Sequence, residues 1–194
     1  MFFVAFGACF PLIFRCETNI QRTAIIIYSC CALMMFAISS LYHRVTWSVT
    51  QRATWKKFDH CGIYLMIAGN FTPICLLALS EKSGMTLLIT IWIIALLGII
   101  KSFNFTNLPK FLSSLFYLLM GYQVVPYLSE IIHSIGIRNF WLLLLGGILY
   151  TIGALVYSLK RPVFNPKVFS YHELFHIFVN LGATFHFIVI SSLI

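Results

Sequence analysis

The 194-residue sequence is 60% hydrophobic and 9% charged, against the roughly 25% charged content of a soluble domain, which excludes a water-soluble globular enzyme. Its net charge of +8 comes from thirteen Lys and Arg spread through short loops, so no basic face exists to hold a nucleic acid and the charge carries topology instead. The six cysteines, Cys9, Cys16, Cys30, Cys31, Cys61 and Cys75, show no C-x-x-C spacing and read as small apolar helix residues, not as a disulfide framework.

Apolar runs fall at about 2–14, 23–42, 60–79, 84–100, 111–128, 139–159 and 173–194, to be compared with the ~20 residues that carry a helix across ~30 Å of hydrocarbon. The pattern predicts one all-α domain over residues 1–194, an integral membrane bundle of seven transmembrane helices with short, mostly antiparallel connections. The first run is short, stopped by Arg15, Glu17, Asn19 and Arg22. It lacks the basic leader and A-x-A-like site of a signal peptide, and is read as a shortened N-terminus or a helix that starts in the membrane interface.

The basic residues sort unequally between alternate loops. Nine (Arg44, Arg52, Lys56, Lys57, Lys101, Lys110, Lys160, Arg161, Lys167) fall on one side and four (Arg15, Arg22, Lys82, Arg138) on the other. The positive-inside rule then predicts a cytoplasmic N-terminus and an outer C-terminus. Gly62, Gly69, Gly84, Gly98, Gly121, Gly146, Gly147, Gly153 and Gly182 are read as points of close helix approach. Pro73 and Pro126 are expected to kink helices three and five.

Ionisable side chains within spans are costly, so each is a candidate for function. At the end of helix two, Ser39 and His43 are one turn apart on one face, so the hydroxyl can support the imidazole or a ligand bound to it. Asp59 is expected to open helix three at the same cytoplasmic level, where it can also serve as an N-cap or face the helix dipole. His172 and His176 open helix seven. Two histidines at i and i+4 have Cβ atoms about 6 Å apart and can tilt onto one metal ion.

Helix seven begins on the side where helix two ends. Three imidazoles with a carboxylate beside them, and one open position for water, form the arrangement of a catalytic Zn2+ site. His60 should face elsewhere, His133 falls in an outer loop, and His186, ten residues beyond His176, is rotated by about 280° and raised by about 15 Å. Tyr42, Tyr64, Asn70, Thr72, Tyr171 and Asn180 are polar groups of the spans that can support the site or line a cavity.

Ser39-x-x-x-His43, the stretch Phe58-Asp59-His60-x-Gly62-Ile63-Tyr64-Leu65-x-Ile67-Ala68-Gly69-x-Phe71-Thr72-Pro73, and His172-Glu173-x-Phe175-His176 together resemble the hemolysin III family. That family is grouped with the progestin and adipoQ receptors, adiponectin receptors among them, and more distantly with alkaline ceramidases. The resemblance implies a seven-helix bundle with zinc held by His43, His172 and His176. It also implies that Asp59 contacts the zinc-bound water, and it matches Ser39 to the serine of the shared motif. The polar segment that usually precedes helix one in the family has no counterpart here.

The leading expectation is a zinc-dependent hydrolase of lipid amide bonds, ceramidase-like, taking an N-acyl lipid from the membrane, with Asp59 and Ser39 as catalytic groups. A second is an intramembrane metalloprotease using His172-Glu173-x-x-His176 with Glu173 as base. A third is a non-enzymatic, membrane-perturbing haemolysin or a receptor-like protein with structural zinc, and a fourth is a transporter. The expected location is a bacterial inner membrane.

Overall fold

The computed structural model describes residues 1–104, 109–164 and 169–194; Lys167 of the basic set lies outside the described residues. Among the described residues seven α-helices and one 3-10 helix run in the order α1 (Phe2–Arg15), α2 (Asn19–Arg44), α3 (Val49–Leu77), α4 (Glu81–Asn104), α5 (Lys110–Gly121), η1 (Tyr122–Tyr127), α6 (Leu128–Leu159) and α7 (Tyr171–Ser191). Five helical stretches, Asn19–Arg44, Val49–Leu77, Glu81–Asn104, Lys110–Leu159 and Tyr171–Ser191, are long and apolar enough to cross a membrane, and Phe2–Arg15 is shorter. The chain is a helical, multi-pass membrane protein. It divides into two compact units, one of residues 1–106 with Ile194 and one of residues 107–193.

Two helices of the first unit start with the same reciprocal device. Thr18 precedes α2 and Gln21 answers it: the Gln21 N–H donates to the Thr18 hydroxyl at 3.2 Å, and the Thr18 N–H donates to the Gln21 side-chain oxygen at 3.0 Å. Ser48 and Gln51 do the same for α3, at 3.4 and 3.2 Å. Each exchange satisfies donors that a helix start leaves without a partner.

The Ser48 box moves the start of α3 well upstream of the expected residue 60. Asp59 therefore lies inside α3 and is not its cap, a correction to the expectation. The polar stretch Thr50–Lys57 extends the helix because water satisfies its side chains beyond the hydrocarbon, while the backbone keeps its helical bonds.

In the first unit α2 packs on α1 and α3, and α3 on α4. A Cβ at Gly69 would strike the Cys31 side chain, and one at Gly98 would fall within the Tyr64 ring. Only glycine lets these backbones approach so closely. Tyr64, Asn70 and Thr72 are buried here, and the Trp92 indole N–H donates to the Thr72 hydroxyl at 3.2 Å, fastening α4 to α3 within the span.

In the second unit α6 packs on α5 and α7. The α-helix gives way to 3-10 geometry over Tyr122–Tyr127, which contains Pro126, because proline removes a donor and collides with the carbonyl four residues back. A sharper break lies at Gly136, whose φ of 76° and ψ of 163° interrupt α6. That backbone suits glycine alone. It divides the stretch into 110–135 and 137–159, the first of which includes His133, so His133 is helical and not in a loop. Gly146 faces the His186 ring and Gly182 faces the Gly146 carbonyl, whereas among the described residues nothing lies within 4 Å of a Cβ placed at Gly121 or Gly147. Those two glycines are not packing contacts. All six cysteines are free thiols, five of them buried.

Candidate metal centre

The pair that opens α7 is built by its cap. The Ser170 N–H donates to the Glu173 carboxylate at 2.8 Å, which starts the helix so that His172 and His176 share one face. Their Nε2 atoms are 3.3 Å apart, and the ring centroids are 4.7 Å apart with planes at 86°. Two nitrogens each about 2.05 Å from a zinc ion at a tetrahedral angle stand about 3.3 Å apart. The pair thus fits two neighbouring corners of a zinc site, and both side chains are half-buried.

Aromatic rings hold this pair on one side. The Tyr157 ring of α6 is 5.8 Å from His172 and 5.0 Å from Phe175, and Phe175 is 5.5 Å from His176. The Lys110 ammonium, in the first turn of α5, lies 4.4 Å from the Tyr157 centroid and 4.8 Å from that of Tyr171. It also donates to the Tyr171 hydroxyl at 3.0 Å. The start of α5, the end of α6 and the start of α7 therefore share one end of the second unit.

In the first unit His43 occupies the last turn of α2 and is exposed. Its ring meets Tyr42 edge-on, with centroids 4.6 Å apart, and the Arg52 guanidinium lies 5.3 Å from the Tyr42 centroid. Ser39 is one turn earlier on α2 and is half-buried, as is Asp59 on α3. The Trp47 indole donates to the Leu41 carbonyl at 3.1 Å, and the Trp47 and Trp55 rings stack at 4.8 Å. At the other edge of this end, Lys57 donates to the Phe103 carbonyl at 3.2 Å. The end of α2, the start of α3 and the end of α4 thus meet.

The lesser histidines are engaged elsewhere. His60 Nδ1 donates to the Lys56 carbonyl at 2.7 Å, and His186 Nε2 donates to the Leu143 carbonyl at 3.2 Å, tying α7 to α6. Glu173 is exposed and its carboxylate serves the helix cap. Sequence reasoning named Tyr42 and Tyr171 but missed Arg52, Lys110 and Tyr157. The only trace of Arg52 and Lys110 in the sequence is a basic residue near the starts of α3 and α5.

Comparison with known proteins agrees with this architecture. The family model for Haemolysin-III related proteins matches residues 1–187. The chain is 32% identical to "Hemolysin-3" of Bacillus cereus over 164 residues, covering 84% of this chain and 72% of that protein. It is 34% identical to the "Hemolysin-3 homolog" of Bacillus subtilis (strain 168) over 157 residues, covering 81% and 70%. It also matches the "Adiponectin receptor protein" of Drosophila melanogaster at 27% identity over 211 residues, covering 96% of this chain and 47% of that one.

Proposed function

We propose, from the premise that this chain belongs to the Haemolysin-III related family, that it is a zinc-dependent intramembrane hydrolase of lipid amide bonds. The observation that carries the reading is the 3.3 Å separation of the His172 and His176 Nε2 atoms, which suits tetrahedral zinc. In this reading His43 is the third ligand, since each imidazole offers one donor nitrogen. Support for His43 comes from its place in the Ser39-x-x-x-His43 motif at the last turn of α2.

Bound zinc supplies Lewis acidity toward a carbonyl and acidifies water. Asp59 takes a proton from the attacking water and returns it to the leaving amine, so amide and water become carboxylic acid and amine. Ser39 donates a hydrogen bond to the carbonyl oxygen as negative charge develops there. His43, His172 and His176 each offer one ring-nitrogen lone pair to the ion. The substrate class is an N-acyl lipid of ceramide type, which reaches the site from the bilayer. The membrane is the inner membrane of a bacterium, with the N-terminus inside because nine of the thirteen basic residues lie on that side.

Detergent-purified protein incubated with an N-acyl sphingolipid in mixed micelles tests the reading. Release of free fatty acid is expected from wild type and is lost after chelation or in Asp59→Asn. Equal release from the chelated and untreated protein would overturn it.

A second reading has its own support in the names of the two Bacillus relatives: a protein that perturbs membranes without hydrolysis. It predicts dye leakage from liposomes that survives removal of zinc. The metalloprotease reading loses ground because the Glu173 carboxylate is engaged by its own helix cap.

A further inference from the structure

A partly buried ammonium is costly unless its charge is compensated. The Lys110 ammonium is compensated by two ring faces and one hydroxyl: Tyr157 at 4.4 Å, Tyr171 at 4.8 Å, and the Tyr171 oxygen at 3.0 Å. Cations are drawn to the negative face of a tyrosine ring, and this attraction strengthens when water is excluded. The same two rings lead directly to the metal pair. Tyr171 immediately precedes His172, and the Tyr157 ring lies against both His172 and Phe175.

We propose that Lys110 is a positioning residue of the metal site, fixing the ring of His172 through Tyr157 and Tyr171. The proposal rests on the reading of His172 as a zinc ligand. A metal site binds tightly only if its imidazoles are held near their productive orientation before the ion arrives. Packing alone leaves a tyrosine at the end of α6 able to swing. A cation over its face, tied at the same time to the first residue of α7, locks Tyr157 between α5 and α7. The His172 ring is then confined between Tyr157, tilted by 46°, and His176, at 86°.

The first unit repeats the motif. The Arg52 guanidinium covers Tyr42 at 5.3 Å, and Tyr42 meets His43 at 4.6 Å. Each candidate ligand with a neighbouring tyrosine thus has that tyrosine covered by a cation from the start of another helix. The order cation, tyrosine, histidine occurs once on α3 and α2, and once on α5, α6 and α7.

The test uses the full chain in detergent with Co2+ as probe, because Co2+ reports its coordination geometry by visible absorption. Affinity is read by competition with a chelator and stability by thermal unfolding of the metal-free protein. Lys110→Met is expected to weaken Co2+ binding about tenfold and to broaden the absorption bands, while Lys110→Arg, which also stacks on rings, restores both. Tyr157→Phe keeps the ring face and wild-type affinity, and Tyr157→Leu weakens binding as Lys110→Met does.

A Lys110→Met protein with wild-type affinity and spectrum would overturn the proposal, whatever its unfolding temperature, since a purely structural lysine moves only the latter. Equal weakening in Lys110→Met and Lys110→Arg would overturn it as well. If Lys110→Met does not fold, the Tyr157→Phe and Tyr157→Leu pair decides. Wild type that binds no Co2+ would overturn the zinc reading and this inference together, an outcome distinct from loss of the inference alone.

Discussion

The first unit buries polar residues in the middle of α3 and leaves its candidate ligand exposed; the second keeps its candidate ligand pair half-buried and packs it with aromatic rings. Two thirds of the most apolar window of α3 is buried, against 22% in α7. Tyr64, Asn70 and Thr72 lie inside the first unit, whereas His43 is at the exposed tip of α2. In the second unit His172 and His176 are within hydrogen-bonding distance of each other and framed by Tyr157 and Phe175. A half-built metal site can be stored in one short stretch of helix. On the proposed reading the remaining groups, His43, Ser39 and Asp59, belong to helices held by different packing.

The largest effect expected concerns Asp59. On the proposed mechanism, Asp59→Asn should lower hydrolysis of an N-acyl lipid by about 100-fold or more while zinc content stays at the wild-type level, because the proposed proton acceptor is lost and the three candidate histidine ligands are kept. Parallel loss of zinc would make Asp59 a ligand and blur the division between the units.

Packing gives the next largest effect. Gly98→Val places methyl groups where the Tyr64 ring lies, and overfilling of this kind costs about 1–3 kcal/mol, read as a lower midpoint in denaturant. Gly147→Ala, with nothing within 4 Å of the added Cβ, should change stability by no more than about 0.5 kcal/mol. If both behave alike, close approach at Gly98 is not what holds α3 to α4.

The smallest effect separates the hydrolase from the protease. Glu173→Gln preserves the capping geometry, so turnover should stay within about threefold, and Glu173→Ala should cost about 1 kcal/mol of stability. Abolition of activity by Glu173→Gln would restore Glu173 as a base.

Much of this was legible from residue order. The apolar runs located long apolar helices, five stretches of which are long enough to cross a membrane, and the i, i+4 spacing of His172 and His176 put both rings on one face, as the structure has them. Three features were not. The start of α3 at Val49 was hidden because Thr50–Lys57 is polar enough to read as a loop, although Ser48 and Gln51 carry the cap. The break at Gly136 was hidden because a positive φ leaves no mark in hydropathy. The Lys110 contact to Tyr157 and Tyr171 joins residues far apart in the chain, which periodicity cannot pair. Local rules reach caps and faces; contacts between helices depend on how the helices pack.

The most direct test of the central claim is zinc content per chain, by inductively coupled plasma mass spectrometry, on detergent-purified wild type beside the His172→Ala/His176→Ala double variant. About one zinc per wild-type chain, absent from the variant, is the predicted result. Wild type without zinc, or a variant that retains it, would contradict the account.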